Sequence, residues 1–196
     1  GLTGFAAPNA SGEWEGFDVT MCRAVAAAVL DDANAVQFVP TTGKTRFTAL
    51  SSGEIDMLAR NTTWTFSRDV DLKFEFVGVN YYDGQGFMVP ADLGVSSAKE
   101  LDGATVCIQT GTTTELNLAD FFRSNNISYE PVPTETNAES QQQLLAGACD
   151  VFTTDASGLA ATRATFESPG DWVVLPEIIS KEPLGPLVRH GDNAWG

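Results

Sequence analysis

Basic residues are scarce in this chain: 11 Lys and Arg stand against 26 Asp and Glu, a formal net charge of −15. Binding to phosphate backbones needs a basic face, so nucleic acid is excluded as a partner, and docking on anionic membranes is disfavoured for the same reason. There is one histidine, and the cysteines number three, Cys22, Cys107 and Cys149, with no CxxC pair among them, which argues against a zinc or other metal centre. No apolar run approaches the roughly 20 residues of a membrane span. There is no Gly-x-Ser-x-Gly elbow. Thr42-Gly43-Lys44-Thr45 ends like a phosphate-binding loop, but the place of its first glycine is taken by Phe38. Gly84-Gln85-Gly86 opens like a dinucleotide fingerprint, yet Val89 stands where the third glycine belongs. His190, between Arg189 and Gly191, has no nucleophile paired with it in sequence and reads as a surface residue.

What the chain does have is material for cores. It is 196 residues long and 43% hydrophobic, with 12 Phe and 4 Trp, enough for one large domain or two small ones and too apolar for disorder. Three cysteines imply one bridge and one thiol left over. The chain opens on Gly1-Leu2-Thr3-Gly4-Phe5, which reads as a loop already under way, so a fragment is expected and the lack of a signal peptide carries no information about compartment.

Residues 1–16 read as loop. Asp18 is placed to cap a helix in which Val19, Cys22, Val25, Ala26, Val29 and Leu30 recur at helical spacing, with Cys22 turned inward. Residues 35–39 read as a strand, 46–52 as a short helix, 55–59 as a buried strand and 74–80 as another strand. Residues 81–90 mark a composition break, with a strand at 87–89. The alternation then resumes: strand 104–109, helix 115–123, strand 128–132, helix 136–146, strand 151–154, helix 156–165, and short strands at 172–175 and 184–188. Strands alternating with helices argue for βαβ units and mostly parallel sheets, in which ligands bind outside the carboxyl ends of the strands. Polar clusters follow three strands: Asn61 to Arg68, Thr110 to Thr114, and Asp155. The hydroxyls and the Arg68 guanidinium of the first could cradle a carboxylate; Arg68 could equally pair with Asp69 or Asp71. Asp155 could cap the helix that follows it, as could Thr112 and Thr113 theirs.

Several segments, in order, resemble the polar amino-acid-binding periplasmic proteins of ABC transporters, solute-binding protein family 3. They are Gly16-Phe17-Asp18, Phe47-Thr48-Ala49-Leu50, Gly53-Glu54-Ile55-Asp56, Thr65-Phe66-Ser67-Arg68, Gln109-Thr110-Gly111-Thr112-Thr113 and Thr153-Thr154-Asp155. The runs Asn61-Thr62-Thr63-Trp64-Thr65 and Thr110-Gly111-Thr112-Thr113-Thr114-Glu115 are similar to those of the general L-amino-acid-binding subfamily. The resemblance extends over essentially the whole chain. It implies an α/β, two-lobed, type II periplasmic-binding-protein clamp, each lobe a mostly parallel sheet flanked by helices. Lobe 1 would be residues 1–85, lobe 2 residues 86–182, and 183–196 a return segment toward lobe 1. A strand before Gly1 and helices after Gly196, present in the family, are expected to be missing here.

By the same resemblance the ligand is a free polar L-amino acid (Glu, Gln, Asp or Asn), held without cofactor or metal and delivered to an inner-membrane permease from the periplasm. Arg68 would grip the α-carboxylate, with the backbone N–H and hydroxyl of Thr113 and the neighbouring Thr112 and Gly111. Thr63 and the backbone at Asn61 would meet the α-ammonium, and Asp155 would neutralise it. A buried zwitterion needs both charges matched, which these groups would do. A Cys107–Cys149 bridge is implied, with the partner of Cys22 on the missing strand. A clamp-fold enzyme of the cyclohexadienyl dehydratase type needs a further acid or base facing the ligand side chain, and no residue is assigned to that work. An amino-acid-sensing ectodomain is the other alternative. Lys44 and Arg46 are read as solvated surface charges in preference to ligand side-chain contacts.

Overall fold

The computed structural model describes residues 1–191 and 195. The chain forms two compact units, Gly1–Tyr82 with the chain from Pro183 onward, and Asp83–Glu182. It therefore passes between them twice, at Tyr82–Asp83 and at Glu182–Pro183.

In the first unit β1 (Ala7–Pro8) pairs antiparallel with β2 (Trp14–Glu15). Gly16 then starts α1 (Phe17–Leu30) with φ 122°, and a Cβ there would lie 2.4 Å from the Phe5 carbonyl oxygen, so only glycine serves. α2 (Arg46–Ser52) ends on Gly53 in the left-handed region, whose N–H returns to the carbonyls of Ala49 and Leu50. β3 (Phe74–Phe76) and β4 (Tyr81–Asp83) complete the outward half.

The second unit is built on one sheet. Its elements are β5 (Gln85–Pro90), β6 (Ala104–Gln109), α3 (Thr113–Asn125), β7 (Tyr129–Thr134), α4 (Asn137–Leu145), β8 (Val151–Asp155), α5 (Ala156–Thr165) and β9 (Trp172–Val174). The strand order is β7-β6-β8-β5-β9, with β7, β6 and β8 parallel and β5 antiparallel to both its neighbours. Alternate residues face opposite sides of the sheet. Phe87, Val89, Val106, Ile108 and Val151 pack with Leu118 and Phe122 of α3. Met88, Cys107 and Phe152 pack with Leu144 of α4 and Leu159 of α5. Both faces are thus covered, as α/β crossovers require, and full burial of side chains this large contributes about 1.5–3 kcal/mol each. Cys107 and Cys149 are bridged, with Cα atoms 5.7 Å apart, as expected; Cys22 is a half-buried free thiol.

The return adds β10 (Glu182–Leu184), paired with β4, and β11 (Leu187–Arg189), antiparallel to β3. Among the described residues the first-unit core has two clusters, Leu50, Leu58, Phe74, Phe76 and Leu187, and Leu2, Phe5 and Leu184.

The architecture is the expected two-lobed α/β class, and several elements differ in detail. Among the described residues, 35–39 joins no ladder, and 55–59 makes only the Leu58–Leu187 bridge. A ladder needs a neighbour for its N–H and C=O groups. These two stretches instead line an open groove of about 900 Å³ with Cys22, Val25 and Val29 of α1. The ladders described in this unit are two-stranded, and β1–β2 and β3–β11 run antiparallel, where a mostly parallel sheet was expected. The strand expected over 74–80 stops at Phe76, short of Gly78 with φ 156°. That expected over 184–188 divides at Gly185-Pro186: proline has no N–H to give, and a Cβ on Gly185 would lie 1.9 Å from the Gly78 carbonyl oxygen.

Candidate functional site

In the first unit the segment after Leu58 is strapped to the return strands by bridges at Leu58–Leu187 and Thr63–Leu184, and by Trp64 N–H donating to the Pro183 carbonyl at 2.8 Å. Arg68 lies in the π-helical turn Ser67–Asp71 that follows. Its guanidinium donates to the Thr63 carbonyl at 2.8 Å and lies 5.2 Å from the Phe47 ring centroid. Arg68 and Thr63 are thus brought together, and both are buried. Asn61, half-buried, has φ 26°, a conformation that Asn tolerates better than most residues. Its N–H donates to the Asp18 carboxylate at 2.7 Å. Asp18 sits inside the first turn of α1, which Gly16 caps. Burial raises the Asp18 carboxyl above its ordinary range, opposed by the Asn61 N–H and the Arg60 charge.

In the second unit Gly111, Thr112 and Thr113 come together at the head of α3. Thr112 is the N-cap: its hydroxyl oxygen accepts the Glu115 N–H at 3.2 Å and donates to the Gln109 carbonyl at 2.7 Å. The Gly111 N–H goes to the Glu115 carboxylate at 2.9 Å. The Thr113 hydroxyl donates to Glu182 at 3.0 Å. The first-turn N–H groups of such a helix lie beyond its own ladder and favour anions. Asp155 ends β8 opposite Gln85 of β5 and is 3% exposed. It is the N-cap residue of α5 but makes no side-chain cap bond, so capping is not what its carboxylate does. Fully buried Gln85 donates to the Thr114 carbonyl and the Thr153 hydroxyl.

Three polar groups beside these residues escaped the sequence reading. Asp18, expected to cap α1, instead holds the Asn61 backbone. Arg46, expected to be a solvated charge, is buried, donating to the Thr62 hydroxyl at 3.2 Å and lying over the Phe47 ring; Lys44 is exposed as expected. Glu182 drew no attention because no local pattern marks it; its partners lie up to 69 residues away. His190 is exposed, as expected.

The sequence matches the bacterial extracellular solute-binding proteins, family 3, over residues 3–195. The chain belongs to this family. Among curated relatives, the glutamate/glutamine/aspartate/asparagine-binding protein BztA of Rhodobacter capsulatus is 69% identical over 196 residues, covering 100% of this chain and 58% of the relative. The general L-amino acid-binding periplasmic protein AapJ of Rhizobium johnstonii is 60% identical over 195 residues, again all of this chain and 57% of the relative. This family 3 chain therefore spans a little over half the length of those proteins. Of solved structures, an ABC transporter periplasmic binding protein from Brucella ovis with glutathione bound is similar with a TM-score of 0.94 and 55% identity, covering 100% of this chain and 61% of that one. An ancestral arginine-binding protein bound to arginine is similar with a TM-score of 0.85 and 25% identity, covering 98% and 82%.

Proposed function

We propose that this protein is the solute-binding component of an ABC transporter, capturing free polar L-amino acids in the periplasm and passing them to a membrane permease. The observation that carries the reading is a pair of buried, oppositely charged side chains, Arg68 in one unit and Asp155 in the other, 6% and 3% exposed. Their chemistry is that of a zwitterion's two ends: a guanidinium fork matches a carboxylate, and a carboxylate matches an ammonium. The names of relatives that share more than half of the sequence support the amino-acid class. Arg68, with the N–H groups of Thr112 and Thr113 and the turn at Gly111, takes the α-carboxylate in this reading; Asp155, Thr63 and the backbone at Asn61 take the α-ammonium. A protein that uses both groups for the α-carbon substituents has none of those named residues left for acid–base chemistry on the side chain, which favours a binder over a dehydratase.

Isothermal titration calorimetry of the intact protein with L-Glu, L-Gln, L-Asp, L-Asn, L-Arg and glutathione tests this. Binding of one or more of the first four at micromolar concentrations or below is expected. Glutathione belongs in the panel because its γ-glutamyl end carries the same α-ammonium and α-carboxylate. Absence of binding to every amino acid would reject the reading.

A further inference from the structure

Glu182 is the last residue of the second unit, at the point where the chain leaves it, and is only 2% exposed. A carboxylate buried to that extent is costly unless donors surround it. Here one oxygen accepts from the Thr113 hydroxyl at 3.0 Å, and the other from Asn117 Nδ2 at 2.7 Å and the Ser180 hydroxyl at 2.6 Å. Thr113 and Asn117 are one turn apart on α3, so the carboxylate clasps the first turn of that helix. Ser180 in turn accepts the Gln85 N–H at 3.1 Å, and the Gln85 side chain donates to the Thr114 carbonyl at 3.0 Å. The strand that enters the unit and the one that leaves it are thus both tied to the head of α3.

A hydroxyl has one proton. With that proton given to Glu182, the Thr113 oxygen offers only lone pairs to anything else. An acceptor repels a carboxylate and suits an ammonium.

We propose that Glu182 is a positioning residue: by taking the Thr113 hydroxyl proton it makes that oxygen an acceptor and leaves anion binding at the head of α3 to backbone N–H groups. The inference rests on the amino-acid reading above and departs from the family resemblance in one part, since the Thr113 hydroxyl, expected at the α-carboxylate, then serves the ammonium side of the ligand. In Glu182→Gln the amide can donate to the hydroxyl, the proton turns outward, and the acceptor is lost.

The test is a double-mutant cycle read as Kd for L-Glu and L-Gln, on wild type, Glu182→Gln, Thr113→Val and the double variant. Glu182→Gln is expected to weaken binding about tenfold, the scale of a lost hydrogen bond to a charged group. Its effect should shrink to within about twofold in the Thr113→Val background, because the hydroxyl through which it acts is gone. A merely structural role would give the same loss in both backgrounds, and that result, or a Glu182→Gln Kd within about twofold of wild type, overturns the proposal. If Glu182→Gln does not fold, Asn117→Leu loosens the same carboxylate: at least about threefold weakening, abolished by Thr113→Val, supports the proposal, and anything else overturns it. A wild type that binds no amino acid overturns the functional reading and this inference together, whereas normal wild-type binding with an unresponsive Glu182 overturns the inference alone.

Discussion

The Asp18 carboxylate accepts the backbone N–H of Asn61 at 2.7 Å, joining residues 43 apart in sequence. It holds a residue at φ 26° just ahead of Thr63 and Arg68, so a helix-start acid shapes the loop that carries the candidate carboxylate grip. Its titration has a definite sign. Burial, the largest effect, raises the carboxyl above its ordinary 3.8. Between that value and the raised one, the folded protein binds more protons at this site than the unfolded chain. This group's contribution to stability is therefore full below about 3.8 and falls as pH rises through the raised value, then levels off. Asp18→Asn keeps an oxygen for the Asn61 N–H and removes the titration. Thermal unfolding from pH 4 to 7 should show the variant gaining on wild type as pH rises, with a constant difference above the window. A difference that is flat throughout would show that Asp18 does not titrate there.

Arg68 is buried, donates to the Thr63 carbonyl and lies against the Phe47 ring. A lysine keeps the charge but not the planar fork or the ring stacking. Arg68→Lys is expected to weaken amino-acid binding about tenfold or more, and Arg68→Ala about a hundredfold, since charge-assisted bonds contribute about 1.5–3 kcal/mol each. Calorimetric Kd values check this; near-normal affinity in Arg68→Ala would remove it from the site.

Much of the second unit was legible in the sequence because its signals are local. Residues 104–109 and 156–165 have the predicted bounds, and Thr112, Thr136 and Gly147 stand at or beside the helix ends where caps and glycine belong. The first unit was less legible for a physical reason. Val36, Phe38, Ile55 and Met57 have strand-forming composition, but a strand is completed by its neighbour's backbone, and no local pattern reports who that neighbour is. The candidate site divides likewise. Arg68 and Asp155 are marked locally, the one closing a hydroxyl-rich run and the other ending a strand, whereas Asp18 and Glu182 act through partners 43 and 69 residues away, separations that a sequence motif does not span.

The Cys107–Cys149 bridge fastens β6 to a residue two positions ahead of β8, two strands that already lie side by side, and closes a separation of 42 residues. It adds little to the folded ladder and acts chiefly by restricting the unfolded chain, to an extent of about 4 kcal/mol in the chain-entropy account. Replacing both cysteines by alanine should lower the unfolding free energy in urea by about 2–4 kcal/mol. Amino-acid affinity should stay within about twofold, because β8 still presents Asp155 through its pairing with β5. Loss of affinity in a variant that remains folded would mean that the bridge sets the position of β8.

Asp155 offers a separation of stability from binding. A capping Asp replaced by Ala costs about 1 kcal/mol, and Asn replaces it with little loss. Here the side chain makes no cap bond, while the α5 N-terminus is served by Asp83, whose carboxylate accepts from the Ser157 N–H and hydroxyl. Asp155→Asn keeps the shape and removes the charge. Because the Asp155 side chain makes no cap bond, the variant should not lower the ligand-free unfolding midpoint through any loss of α5 capping. It should also weaken amino-acid binding about tenfold or more, because the ligand ammonium loses its counter-charge. Asp83→Asn should do the opposite, lowering the midpoint by loosening α5 while changing affinity by less than about threefold. Differential scanning calorimetry and titration of the two variants together decide the assignment. If Asp155→Asn destabilises the fold and binds normally, its carboxylate belongs to the scaffold and the ammonium partner must be sought elsewhere.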